Sequence, residues 1–155
     1  MSLNGDKSKK VLIVGIGNPL RSDDGVGPYV ADCIEAKGLD GVTVWVTQQL
    51  NMEDLERMLG FARVILVDAS LNGVGVDLHP VQKPSGQLMA SSHHMSAEVF
   101  VSLAESIYHQ DLPMHLCSIK GNSFDVGNKI SPEVLDRAQQ AVDLICSNIM
   151  LPLKG

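Results

Sequence analysis

The chain alternates short apolar-rich runs, continuously apolar over Val11–Val14 and Val64–Val67, with longer segments whose apolar residues recur every three or four positions. Continuous apolar runs are typical of strands covered on both faces in a parallel sheet, and a spacing of three or four is typical of amphipathic helices. The fourth run follows a glycine-containing turn and is expected to form an edge strand. The predicted strands are Lys10–Ile16, Val42–Thr47, Arg63–Asp68, Val76–Val81 and Met114–Lys120.

Four helices are predicted between or after these strands. The first begins near Val26, accommodates Pro28 in its first turn and ends at Gly38. The others are predicted over Met52–Leu59, over Ser96–Tyr108 and from Ser131 onward, where Ser-Pro favours a helix start. The side chains expected to face the core are Val26, Tyr29, Val30, Cys33 and Ile34; Met52, Leu55, Met58 and Leu59; Ala97, Phe100, Val101, Ala104 and Ile107; and Val134, Ala138, Ala141, Val142, Ile145 and Ile149.

This alternation predicts an α/β fold, a three-layer α/β/α sandwich with a mostly parallel central sheet of about five strands. A chain of 155 residues, 45% of them hydrophobic, can bury one substantial core, so a single domain is expected over residues 1–155. Residues 1–8 are polar and lack the apolar region of a signal peptide. They are expected to lie outside the folded part, as a flexible or cloning-derived segment.

Charge and cysteine usage narrow the class of protein. A net charge of −6 disfavours nucleic acids and anionic membranes as partners, since both require a basic surface. No apolar run approaches the roughly 20 residues of a membrane span. Three widely spaced cysteines, Cys33, Cys117 and Cys146, are an odd number without a Cys-x-x-Cys motif. They are expected to be reduced thiols in or near the core of a cytoplasmic protein.

A glycine-rich loop with two adjacent carboxylates follows the first predicted strand. Gly15 and Gly17 allow the backbone to turn sharply, and Asp23 and Asp24 precede the first helix. Ligand sites in open α/β sheets lie beyond the carboxyl ends of the strands. The loop is therefore expected to form a binding site, and its paired carboxylates favour a cation over a phosphate.

A dinucleotide site is the competing interpretation of a strand that runs into Gly-x-Gly. The dinucleotide fingerprint requires a third glycine where this chain has Leu20, and an acidic residue after the second strand, where it has Gln48 and Gln49. Two aspartates beside a pyrophosphate would also repel it. A Rossmann-like nucleotide site is therefore the least favoured reading.

Two further chemical groups are predicted to reach the same edge of the sheet. Asp68 ends the third strand, and His93 and His94 precede a later helix. Two carboxylates and an imidazole suit a divalent first-row metal with open positions for water or substrate. Each residue also has a simpler explanation, because a carboxylate can cap a helix or bind loop amides and a histidine can lie on the surface.

With these segments in place, the chain resembles the [NiFe]-hydrogenase maturation endopeptidases, which trim the C-terminal tail of the hydrogenase large subunit. Order and separation agree from about residue 10 to residue 148. A glycine-rich segment common after the second strand is replaced here by Gln48–Leu55, as in the branch serving bidirectional, NAD-linked hydrogenases, and Lys120-Gly121 replaces a Gln-Pro of other branches. The matching segments are Gly15–Asn18, Asp23–Gly27, Val64–Ala69, His93–Ser96, Gly121–Gly127 and Ile130–Val134.

The resemblance implies a metal-binding triad of Asp24, Asp68 and His93, with His94 as the alternative imidazole. It further implies that nickel already inserted in the large-subunit precursor is recognised by this triad, and that metal-assisted hydrolysis removes the tail. Another divalent metal could occupy the site in the isolated protein. The expected partner is the hydrogenase large-subunit precursor, and the protein is expected to be monomeric.

Other catalytic mechanisms find little support in the sequence. The chain has no His-Glu-x-x-His helix, no Gly-x-Ser-x-Gly motif and no recognisable cysteine nucleophile. Asp23 is the nearest extra carboxylate, and could orient a metal-ligating group or assist proton transfer. The alternative from another functional class is a non-catalytic nickel-sensing or chaperone domain for hydrogenase assembly.

Overall fold

The computed structural model describes residues 10–82 and 97–150. A short 3₁₀ helix over Ser22–Gly25 joins the first strand to the first helix. The strands are β1 (Val11–Ile16), β2 (Val42–Thr47), β3 (Arg63–Ser70), β4 (Val76–Pro80) and β5 (Met114–Lys120), and the helices are α1 (Val26–Ala36), α2 (Met52–Met58), α3 (Ala97–Tyr108) and α4 (Pro132–Met150).

The five strands form one sheet in the order β2-β1-β3-β5-β4. β2, β1, β3 and β5 are parallel to one another, and β4 pairs antiparallel with β5 at one edge. This confirms the predicted mostly parallel sheet and the edge position of the fourth strand. β3 continues two residues further than predicted, because Ala69 and Ser70 pair with Ile119 and Lys120 of β5.

Two apolar clusters hold the helices against the two faces of the sheet. One cluster joins α1 and α4 to alternate residues of β1, β3 and β5, among them Ile13, Val67 and Ile119. The other joins α2 and α3 to the intervening residues, among them Leu12 and Leu66. Both faces of the central strands are therefore covered, as their continuous apolar runs predict.

Three residues predicted to face the core are instead exposed. Tyr29 is 41% exposed, Met52 is 45% exposed and Ile107 is 52% exposed. In α1 the small residues Gly27 and Ala31 face the sheet, which turns the position of Tyr29 toward solvent. Met52 and Ile107 belong to terminal helical turns. Asn51 and Glu53 beside Met52, and Ser106 beside Ile107, are exposed too.

The three cysteines are free thiols, with Cys117 buried and Cys33 and Cys146 partly buried. Burial, followed by the charge of Asp77, raises the pKa of the Cys117 thiol to about 12. The described part of the chain holds no helix both long enough and apolar enough to cross a lipid bilayer.

Gly27 allows α1 to lie directly against the sheet. A Cβ at this position would come within 2.4 Å of the Ile16 carbonyl oxygen and 2.5 Å of the Val67 carbonyl oxygen. Both oxygens belong to backbone in the middle of the sheet and cannot move aside independently. The start of α1 is therefore held close to the carboxyl ends of β1 and β3.

We expect Gly27→Ala to lower the free energy of unfolding by about 3 kcal/mol or more, because the added methyl group overpacks against strand backbone. Gly60→Ala is the matched control, since a Cβ at this exposed glycine meets only the Arg57 carbonyl oxygen at 3.5 Å. Denaturant unfolding followed by circular dichroism measures both. Equal stability of the two variants would contradict this account of the packing.

Candidate functional site

The order of the strands places a crevice between β1 and β3. From β1 the chain connects to β2 on one side, and from β2 it crosses to β3 on the other side of β1. Such a reversal is where open α/β sheets bind ligands, at the carboxyl ends of the strands. Asp24 follows β1 in the 3₁₀ helix, and Asp68 lies near the end of β3, paired in register with Ile16 of β1 and Ser118 of β5.

A cavity of about 430 Å³ opens at this crevice, and both carboxylates line it. The loop after β2 and the first turn of α3 complete its wall. The lining residues are Ile16, Gly17, Asp24, Gln48, Gln49, Leu50, Leu66, Asp68, Ala69, Ala97, Glu98 and Leu116. The described residues therefore place Asp24 and Asp68 on the wall of one cavity, and their role as metal ligands stays a prediction.

Asp68 has a strongly altered proton affinity. Burial, followed by the charge of Asp24, raises the pKa of Asp68 to about 7, against the opposing effect of a hydrogen bond from the Ala69 backbone. The ionised carboxylate is thus unfavourable beside Asp24 when no cation is present. A divalent cation would relieve both causes, since it compensates the lost hydration and offsets the repulsion. The donor set fits such an ion.

The backbone of the loop fixes the position of Asp24. Its Oδ2 accepts a hydrogen bond of 2.7 Å from the Asn18 N–H. Gly17 has a φ of +151°, and a Cβ there would overlap the Asp24 carbonyl oxygen at 1.9 Å. Only glycine allows the loop to fold back on the 3₁₀ helix this tightly. Asp24 is consequently held against the ends of β1 and β3.

Asp23, the neighbouring carboxylate, forms hydrogen bonds with the segment between β5 and α4. It is fully buried, and Oδ2 accepts hydrogen bonds from the N–H groups of Asn122 and Ser123 at 2.7 and 2.9 Å. The N–H of Ser131 donates to Oδ1 at 2.6 Å, and the hydroxyl of Ser131 donates to Oδ2 at 2.8 Å. Burial would raise the pKa of Asp23, but these hydrogen bonds outweigh it and hold the pKa below its ordinary value.

The structure therefore does not support the extra metal-orienting or proton-transfer role expected of Asp23. Both of its oxygens are engaged by the segment between β5 and α4. This ties the β1–α1 loop to that segment. The Ser22 N–H also donates to the Gly127 carbonyl oxygen, and the Gly127 N–H donates to the Leu20 carbonyl oxygen. Asp23 acts as a structural anchor beneath Asp24.

The loop offers no free amides for a phosphate group. Every backbone N–H from residue 17 to residue 24 donates to an acceptor of the protein itself, Pro19 having none to donate. Phosphate sites at glycine-rich loops depend on amides that point at the ligand. Together with the acidic cavity, this argues against the nucleotide interpretation.

Comparison with known proteins gives the fold a context. The sequence matches no protein-family model and no curated protein, but the structure matches several solved structures. The hydrogenase 2 maturation peptidase of a Thaumarchaeota archaeon is 24% identical, with a TM-score of 0.66 over 92% of this chain and 99% of the other. The chain has the fold of the hydrogenase maturation peptidases.

Two further structures with the maturation-peptidase fold extend the likeness. The hydrogenase maturating endopeptidase HybD from E. coli is 16% identical, with a TM-score of 0.71 over 90% of this chain and 91% of that chain. The [NiFe] hydrogenase maturation protease HycI from Thermococcus kodakarensis is 21% identical, with a TM-score of 0.70 over 97% of this chain and 100% of that chain. In each comparison the shared fold covers nearly the whole length of both chains.

The histidine of the predicted triad stays a prediction. His93 and His94 lie in residues 83–96, outside the described residues, as do Ser96 and the Pro84–Gly86 turn. Within residues 10–82 and 97–150 no group of three histidine, cysteine or acidic side chains is placed to hold a metal ion. The described part of the maturation-peptidase fold contributes two carboxylates, Asp24 and Asp68.

Glu98 is a third acidic residue at the cavity that sequence reasoning missed. It is exposed in the first turn of α3 and lines the cavity with Ala97. Its position two residues after Ser96 was the available signal, because the start of that helix was already expected at the same edge of the sheet. Gln48 and Gln49, noted as a departure from the resembled family, also line the cavity.

We expect Asp68 to make the metal-free protein less stable as the pH rises. Below about pH 4 Asp68 is protonated in both states; toward pH 7 the unfolded chain ionises while the folded protein still holds the proton, so stability falls through this range. Asp68→Asn removes this loss, which has an upper limit of about 4 kcal/mol. Denaturant unfolding with a chelator from pH 4 to pH 8 measures it.

Asp40→Asn, a change at an exposed carboxylate before β2, is the control for this series. Its unfolding free energy should follow the wild-type pH dependence. If wild type and Asp68→Asn gave parallel curves, Asp68 would have an ordinary pKa and the electrostatic account of the cavity would be wrong.

We expect Asp23→Ala to lower the free energy of unfolding by about 3–5 kcal/mol, because the N–H groups of Asn122, Ser123 and Ser131 and the Ser131 hydroxyl lose their acceptor. The wild-type stabilisation is present above the ordinary carboxyl pKa of 3.8 and is lost as the pH falls through the lowered pKa of Asp23. Asp125→Ala, in the same segment but exposed, should change stability by no more than about 0.5 kcal/mol. Thermal unfolding at pH 7 compares them, and a mild effect of Asp23→Ala would refute the anchoring role.

Proposed function

We propose that this chain is an endopeptidase that removes the C-terminal extension of a nickel-loaded [NiFe]-hydrogenase large-subunit precursor. The observation that carries the proposal is the pair Asp24 and Asp68, which line one cavity at the reversal point of the sheet and interact electrostatically. The maturation-peptidase fold supports the same reading. HybD from E. coli and HycI from Thermococcus kodakarensis, which share this fold, are a maturating endopeptidase and a maturation protease.

The two carboxylates are the part of the chain that recognises the nickel of the precursor. Asp24 is held by the Asn18 N–H and keeps its position before substrate arrives. Asp68 loses its proton on contact with a divalent cation, because the cation removes the unfavourable interaction with Asp24. When bound, the metal supplies Lewis-acid chemistry, polarising the scissile carbonyl or acidifying a water.

His93 is proposed as the third ligand, from the resemblance of His93–Ser96 to the family motif. Ala97, four residues later, lines the cavity with Asp24 and Asp68. Covalent geometry limits the distance between the Cα atoms of His93 and Ala97 to about 14 Å. This limit is compatible with His93 as a ligand, and His93 itself lies outside the described residues.

A site of this kind explains how a peptidase can leave other proteins intact. Two repelling carboxylates, one with a pKa of about 7, form a poor cation site at neutral pH without further ligands. A precursor that carries its own nickel and coordinating groups completes the coordination. Gln48, Gln49 and Glu98 line the cavity, which supports their assignment in this proposal as contacts of the peptide around the scissile bond.

The test is a processing assay with nickel-loaded precursor, read as the mass loss of the large subunit. Asp24→Ala, Asp68→Ala and His93→Ala should each reduce the rate at least about 100-fold, since each removes a group that positions the reacting centre. His94→Ala discriminates between the two imidazoles. Asp40→Asn should process at the wild-type rate.

Circular dichroism and thermal unfolding establish that each variant is folded before its rate is compared. Normal processing by Asp68→Ala would overturn the proposed site. Tight binding of the precursor by the wild-type protein without any mass loss would instead identify a nickel-sensing or chaperone domain.

A further inference from the structure

The two edges of the sheet differ in how they are protected. β4 carries Asp77 and His79, whose side chains pair at 2.5 Å, and it ends at Pro80. Charges and proline on an edge strand block pairing with a further strand. β2, at the other edge, has the sequence Val-Thr-Val-Trp-Val-Thr and contains neither a charge nor a proline. The edge formed by β2 lacks the devices present on β4.

The free edge of β2 presents backbone groups of two residues. The carbonyls of Gly41 and Thr47 accept hydrogen bonds from β1 and the residue after it, so odd-numbered residues of this strand face β1. Since backbone groups alternate between the two sides of a strand, the N–H and C=O of Val44 and Val46 face away from the sheet. On this side of β2 the Val42 N–H donates to the Leu39 carbonyl oxygen, and no described strand pairs with the rest of the edge. The Val46 side chain is 48% exposed.

The end of this edge strand is connected to the candidate site. β2 ends at Thr47, and the following residues Gln48 and Gln49 line the cavity that contains Asp24 and Asp68. A chain segment paired with β2 would lie three strand spacings, about 14 Å, from β3, so it would reach the two carboxylates by passing Gln48 and Gln49 and crossing the ends of β2 and β1. Pairing of a second copy of the protein along β2 would not require any part of that copy to enter the cavity.

We propose that the C-terminal tail of the precursor adds to the sheet as a strand along β2, hydrogen-bonded to Val44 and Val46. The proposal rests on the proposed peptidase function and specifies how the substrate is held. Main-chain hydrogen bonds supply affinity in this mode of binding and require no particular side chains. The exposed Val46 side chain adds an apolar contact beside the strand.

The direction of the tail follows from the chemistry of the cut. The folded body of the precursor lies on the N-terminal side of the scissile bond and must stay outside the carboxyl edge of the sheet. The tail then leaves the cavity past Val46 toward Val44, antiparallel to β2. At about 3.3 Å per residue, β2 is long enough to pair with roughly six residues of tail.

The first test is amide hydrogen exchange in the Asp68→Ala variant, chosen so that the tail is retained. Addition of nickel-loaded precursor should slow exchange at Val44 and Val46 at least about tenfold, because those N–H groups become hydrogen-bonded. The mature large subunit, which lacks the tail, should leave them unchanged. The amides of β4 serve as an internal control on the opposite edge.

The second test uses Val46→Pro, which removes one outward N–H at a position where an edge strand tolerates proline. We expect kcat/KM for processing to fall about tenfold or more, mostly through KM, from the loss of one main-chain hydrogen bond. Val46→Thr keeps the N–H and should lose about threefold or less. Circular dichroism checks that Val46→Pro is folded, and if it is not, the exchange experiment decides.

The outcomes separate the two proposals. If wild-type protein produces no mass loss in the precursor, the peptidase function fails, and the tail proposal fails with it. If processing occurs but Val44 and Val46 stay unprotected by bound precursor, or folded Val46→Pro processes like wild type, only the tail proposal is overturned. If these amides became protected when the concentration of the protein alone was raised, the β2 edge would pair with a second copy of the chain. That result would also overturn the tail proposal.

Discussion

The candidate site depends on two like charges that the backbone forces into one partly buried cavity. Asp24 and Asp68 come from segments far apart in the chain, and the closeness of the β1–α1 loop to β3 brings them together. Burial and the charge of Asp24 raise the pKa of Asp68 to about 7. The folded protein thereby gives up stability at neutral pH to hold a site that a cation would complete, which is a pattern typical of functional sites.

Adjacent residues in this site have opposite roles. Asp23 is buried and accepts four hydrogen bonds from Asn122, Ser123 and Ser131, while Asp24 faces the cavity. Within one turn of 3₁₀ helix, one carboxylate anchors the loop and the next is presented to ligand. The first role makes the second possible, because a loop without this anchor could not hold Asp24 against Asp68.

The fold was largely predictable because its signals are local and redundant. Continuous apolar runs indicated β1 and β3, apolar-rich segments indicated β2 and β5, and glycine and proline marked the ends of α1 and α4. The wrong predictions concern which side of a helix faces the core, because the spacing of apolar residues does not fix the rotation of a helix about its axis. Tyr29 has the right period for the core but is exposed, since the closest approach of α1 to the sheet is made by Gly27 and Ala31. Met52 and Ile107 also have core spacing but are exposed, because they lie at the ends of their helices.

The sequence by itself determined the order of elements, the mostly parallel sheet, and the candidate carboxylates Asp23, Asp24 and Asp68, because apolar patterning and a glycine turn that precedes two aspartates are visible without a structure; the family resemblance then favoured Asp24. Only the tertiary structure showed that Asp23 is buried while Asp24 lines the cavity, that Glu98, Gln48 and Gln49 share its wall, and that β2 is an unprotected edge. Those facts depend on which side chains and backbone groups meet across the sheet. Such encounters arise from the packing of distant segments, which local residue patterns do not encode.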